Sequence, residues 1–231
     1  MKSFFATLLV TCSLVAAAAD ARPVDTVPMY GQPGVSRPEV LRNADEDFIR
    51  EATAGLGSRE AAAKAWHAQA ERFMQQRDFD MAMRRYNQAW LLQPSSYLPH
   101  WGFGRVMMER GAAEEASRHL EQALQLVDDA FQKPALLADL GTAYSIRAQL
   151  TASTDTAETA RLFALANDGF SQSTGLDPSY ASGWRRWAIS LYEQGEYGQA
   201  WEKVREARAR KARPFPPAFL RALQAKHPEP R

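Results

Sequence analysis

Cysteine is all but missing from this 231-residue chain, where Cys12 stands alone. A single cysteine excludes an internal disulfide and any metal site built from cysteines. Histidine is scarce as well: His67, His100, His119 and His227. None has a second histidine, a cysteine or a carboxylate at the spacing of an HExxH or CxxC motif. Glycine-rich phosphate loops and nucleophile elbows are absent. Glu114-Glu115 and Asp128-Asp129 fall beside helix ends or turns, where carboxylates more often serve the helix dipole than acid–base chemistry. Together these absences point away from an enzyme, and no cofactor or metal is expected. Net charge is also small, with 28 Lys and Arg against 27 Asp and Glu. Whole-chain charge therefore gives no reason to expect a nucleic-acid partner.

Long apolar runs are scarce too. Phe4 to Ala19 is about 16 residues, short of the roughly 20 needed to span a bilayer. Lys2 precedes it, and Ala19-Asp20-Ala21 follows the small-x-small rule for cleavage before Arg22. Residues 1–21 thus read as a secretory signal. Lipidation at Cys12 fits less well, because Thr11 is bulky and the apolar run continues past the cysteine. The expected mature chain has no transmembrane segment and is exported to the periplasm, which suits a cysteine-free protein better than a disulfide-forming route.

What is present is periodic. Trp66, Ala70, Phe73, Ala82, Tyr86, Ala89 and Pro94 set a pattern. Thirty-four residues on, Gly104, Met107, Ala116, Leu120 and Ala123 repeat it. A third copy has Leu140-Gly141, Tyr144, Ala166, Phe170 and Pro178, and a fourth has Trp184, Ala188, Leu191, Ala200, Val204 and Ala207. The spacing from Tyr144 to Ala166 is 22 against 9 elsewhere, an addition of 13 residues. Asp155 and Glu158 form a capping-box pattern after a Thr151–Thr154 turn, so two lengthened helices forming a projecting hairpin are predicted there. Ala82 keeps its helix close to Ala70, where leucine would overpack at about 1–3 kcal/mol.

Around the repeats, residues 22–37 carry Pro23, Pro28, Pro33, Gly31 and Gly34 and read as an extended, disordered leader; Met29-Tyr30 is the feature in it able to dock. A capping helix over 38–57 is predicted, opened by a Ser36–Glu39 capping box and carrying Leu41, Ala44, Phe48, Ala52 and Leu56 on one stripe. Residues 214–231 should give a short covering helix through Phe219, Leu220 and Leu223, fraying from His227.

A period of 34 with small, aromatic and proline marks resembles the tetratricopeptide repeat. The resemblance covers residues 63 to about 213. It implies an all-α, right-handed α-solenoid of four helix pairs, residues 58–95, 96–129, 131–179 and 180–213, with a capping helix at each end. It also implies a concave groove lined by the first helix of each pair. On that basis His67, Glu71 and Met74 face the groove, then Trp101, Arg105 and Met108. Ala138, Thr142 and Ser145 follow, and Arg185, Ile189 and Tyr192 complete the face. Aromatic, methionine and arginine side chains are the types enriched at binding hot spots. The places where family members clamp a terminal carboxylate with Lys and Asn hold His67, Glu71, Gly102, Ala135 and Asp139 here, so such a clamp is not expected. The expected function is a non-enzymatic scaffold for a protein or peptide. The alternative is a structural subunit docked through the hairpin and the basic last quarter. Residues 181–231 hold 11 Lys and Arg against 5 Asp and Glu, while 22–180 hold 16 against 21.

Overall fold

The computed structural model describes residues 23–230; the predicted signal lies outside them. All regular structure among the described residues is helical. The helices are α1 (Glu39–Leu56), α2 (Arg59–Gln75), α3 (Phe79–Leu92), α4 (Tyr97–Glu109) and α5 (Ala113–Leu126), then α6 (Lys133–Thr151), α7 (Thr156–Leu176), α8 (Ala181–Glu193), α9 (Tyr197–Ala209) and α10 (Pro217–Lys226). They pack as adjacent pairs, α2 with α3, α4 with α5, α6 with α7 and α8 with α9. Contacts also join α2 to α4, α4 to α6 and α6 to α8, so the first helices of the pairs stand side by side. No helix among the described residues is long and apolar enough to cross a membrane.

Local chemistry sets most boundaries. Ser58 Oγ accepts from Ala61 N, Asp78 from Met81 N and Asp155 from Glu158 N, each satisfying an orphan donor of a first turn. The turns within three pairs share one geometry. Asp78 N donates to Phe73 O, Ala112 N to Met107 O and Glu196 N to Leu191 O, at 2.9–3.0 Å. Each needs a left-handed residue just before the donor, and Arg77, Gly111 and Gly195 supply it at φ 60°, 76° and 81°. The third pair lacks that turn. Its helices run to 19 and 21 residues, against 13 to 17 in the other pairs, which is how the added residues are taken up.

The core follows the repeated small positions. Ala70, Ala82, Ala116, Ala166, Ala188 and Ala200 are wholly enclosed, with Tyr86, Phe103, Leu120, Phe170 and Val204 between them. A Cβ on Gly104 would lie 2.5 Å from Leu120, and one on Gly102 only 2.3 Å from the Tyr86 ring.

Both ends differ from the sequence reading. The leader is ordered through two 3-10 turns, Val24–Thr26 and Pro28–Gly31, with Thr26 and Tyr30 buried. Asn87 of α3, itself fully buried, donates to the Asp25 and Val27 carbonyls at 2.9 and 2.8 Å. Arg84 pairs with Asp25, and Arg110 donates to the Thr26 carbonyl. Met29, Tyr30 and Gly31 are all left-handed, a conformation that costs L-residues roughly 1–2 kcal/mol each. Burial of Tyr30, over which Arg37 stacks at 3.9 Å, holds it in place. Composition alone missed this because the partners come from α3 and α4.

The Ser36–Glu39 capping box does not form, since Pro38 takes the cap position without a side-chain bond. On α1, Ala52, Phe48 and Ile49 reach the core, while Leu41 and Leu56 stay exposed. At the other end the chain is tied beyond His227. Trp201 Nε1 donates to the His227 carbonyl at 2.8 Å, and Arg208 pairs with Glu229.

Candidate binding face

Side chains on the first helices meet across the pairs. Glu71 of α2 is the centre of one cluster. Arg105 Nη1 donates to both its oxygens at 2.6 and 2.8 Å, and Tyr86 Oη donates at 2.6 Å. Burial works to raise the Glu71 pKa, but the bonds and charge of Arg105, with Tyr86 and His67, hold it below its ordinary value. Burial likewise opposes the charge on Arg105, and Glu71 more than offsets it. Tyr86 is pushed well up, first by burial and then by Glu71. His67 lies 3.8 Å from Glu71, and its pKa is pushed down by burial, against the pull of Glu71. Its Nδ1 is enclosed without a partner.

The second cluster centres on Asp139 of α6. Trp101 Nε1 donates to Asp139 Oδ2 at 2.6 Å, and Arg186 of α8 pairs with Oδ1. Asp139 is buried, and Tyr97 stacks on Trp101 at 6.4 Å between ring centres. Thr142 turns its hydroxyl back to the Ala138 carbonyl. With Ser145, Ile146, Gln149, Arg186 and Ile189 it lines a small pocket of about 120 Å³. Met74 and Met108 are half-buried against the core.

The structure therefore brings His67, Glu71 and Arg105 into one cluster and puts Trp101 in the next. Ala138 and Ser145 are buried. Arg185 and Tyr192 stand at the end of the row: Arg185 lies over Phe215 at 5.4 Å, and Tyr192 packs on Phe219 and Tyr197. Both face the C-terminal segment, and Arg186 takes the inner place on α8. Sequence reasoning missed Tyr86, Asp139 and Arg186 as members of these clusters. A signal existed. Glu71 and Arg105 are 34 residues apart, and Asp139 and Arg186 are 47 apart, which is one repeat plus the 13 added residues. Each ion pair joins equivalent positions of successive repeats.

Both carboxylates on this face are thus neutralised internally. Among the described residues, no group of three or more His, Cys, Asp or Glu side chains could hold a metal ion. Away from the face, the His100 and His119 rings approach to 3.5 Å between Nδ1 atoms, in a pocket of about 500 Å³ roofed by leader residues Val27 to Pro33. Compared with known proteins, the chain matches no family model and no curated protein.

Proposed function

We propose that the chain is a non-enzymatic binding scaffold of tetratricopeptide-like architecture, a right-handed solenoid that takes a protein or peptide segment along its first helices. The observation that carries this reading is the fixing of Trp101, Arg105 and Arg186 by cross-repeat bonds on one face. Side chains held before binding lose little freedom on binding, which favours affinity. Met74, Met108 and Thr142 lie along the same face and supply adaptable apolar contact. The expected setting is the bacterial cell envelope, following the signal reading of residues 1–21. No cofactor enters this function.

Photo-crosslinkers at positions 108 and 142, in the exporting cell, test it. A discrete adduct is expected from these positions and none from Gln125 or Arg161, which are exposed on the second helices α5 and α7. Equal adducts from both sets, or none from either, reject the reading.

A further inference from the structure

The cations of α8 differ in their company. Arg186 is answered by Asp139. Arg185, its neighbour, is not. At this end of the molecule the ion pairs among the described residues are Arg186–Asp139, Arg208–Glu229 and Arg210–Glu206, and neither Arg185 nor Arg213 is in one. Arg185 Nε is enclosed and meets no acceptor. Its guanidinium lies over the Phe215 ring, two residues from Arg213 along the chain. The charges of Arg213 and Arg186, added to burial, hold its pKa below the ordinary arginine value, though an arginine stays charged throughout.

Phe215 is buried, and Pro214, Pro216 and Pro217 fix φ around it, which anchors the backbone next to Arg185 while the Arg213 side chain stays exposed. Two cations in one neighbourhood without a counter-charge repel each other, and an anion that reaches both is favoured.

We infer that Arg185 and Arg213 form a carboxylate-binding site at the C-terminal end of the face, for an Asp or Glu side chain of a bound peptide. This rests on the scaffold reading above. The same face already gives each of its other arginines one carboxylate, Glu71 for Arg105 and Asp139 for Arg186. Ile189 lies one turn along α8 from Arg185, on the same side of the helix. It is half-buried and lines the pocket beside Thr142, so the residue next to the acid in the peptide should be apolar. The basic balance of residues 181–231 thereby gains a specific place.

The test is fluorescence anisotropy with a labelled, C-terminally amidated peptide of alternating Glu and Leu, and its Gln-and-Leu twin. The Glu peptide should bind the full mature chain at least tenfold more tightly, and salt should weaken it. Arg185→Gln with Arg213→Gln should remove that preference, while Arg72→Gln, an equal charge loss at an exposed site on α2, should leave it intact. Equal binding of the two peptides, both lost in Trp101→Ala, sinks the arginine site and leaves the scaffold standing. No binding of either peptide counts against both. Displacement of the Glu peptide by equimolar inorganic phosphate overturns the carboxylate assignment in favour of a phosphate site.

Discussion

Arg105 and Arg185 stand on first helices of different repeats and meet opposite surroundings. Arg105 reaches Glu71 with two bonds and keeps about a third of its side-chain surface, 31%. Arg185 reaches no carboxylate and shares its space with two more cations. The difference separates charge that serves folding from charge left over for something else. Around α2 to α5 Glu71 and Arg105 are paired with each other, although His67 Nδ1 and Arg85 Nε meet no partner, and the leader is strapped down by Asn87, Arg84 and Arg110. Around α8 and the segment before α10 the chain leaves like charges side by side.

Glu71→Ala breaks the comparison if it is misread. Removing one partner of a buried pair leaves the other uncompensated and costs about 3–5 kcal/mol when burial is complete. Glu71 and Arg105 keep 29% and 31% of their side-chain surface, so the low end, about 3 kcal/mol, is expected in urea unfolding. A loss under about 1 kcal/mol would mean that this pair contributes no more than a surface one.

Acid should probe the same region nearly as hard. Burial, then His100 and Arg118, push the His119 pKa down to about 4, against 6.5 ordinarily. Between those values the unfolded chain binds the proton and the folded chain does not, so stability falls as pH drops from 6.5 towards 4. The whole window is worth on the order of 3 kcal/mol. His100 is lowered in the same direction by burial, and Glu115 and Arg118 face the same pocket. Glu71 acts later, since its depressed pKa costs stability only as pH falls through and below the ordinary carboxylate range. His119→Gln should flatten the melting temperature between pH 6.5 and 4.5; an unchanged slope would remove His119 as its source.

Gly102→Ala sharpens the packing side of the contrast. Its new Cβ would meet the Tyr86 ring at 2.3 Å, and Tyr86 is fully buried with its hydroxyl committed to Glu71. Overpacking of this kind costs about 1–3 kcal/mol. A melting temperature within a degree of the parent would show that the ring has room to move.

Much of this frame can be read from spacing alone. Small residues 34 apart mark where helices cross, and Ser58, Asp78 and Asp155 mark where they start, because those effects depend on residues close in sequence. Gly102 could not be read that way, since its reason is one ring on another helix. The leader failed for the same cause: Asn87 and Arg110, from distant parts of the chain, bind the carbonyls just before its left-handed residues, and Tyr30 is buried. On the candidate binding face, helical geometry placed Glu71 and Arg105 together. It chose Arg185 over Arg186 because a rule of one step past the packing position cannot see which neighbour supplies a carboxylate. Opposite charges one repeat apart would have found both pairs.

The smallest expected effect bears most directly on the comparison. Arg185→Gln removes a stacking contact over Phe215, worth about 0.5–1 kcal/mol for a half-buried arginine 5.4 Å from the ring centre. It also removes repulsion from Arg213 and Arg186. These nearly cancel, so unfolding free energy should change by no more than about 0.5 kcal/mol. In a double-mutant cycle with Arg213→Gln, the two changes should couple with the sign of repulsion, the second substitution being worse for stability than it is in the parent. A loss above about 1 kcal/mol from Arg185→Gln alone would make it a structural residue like Arg105. The unmatched charge would then need no partner from outside.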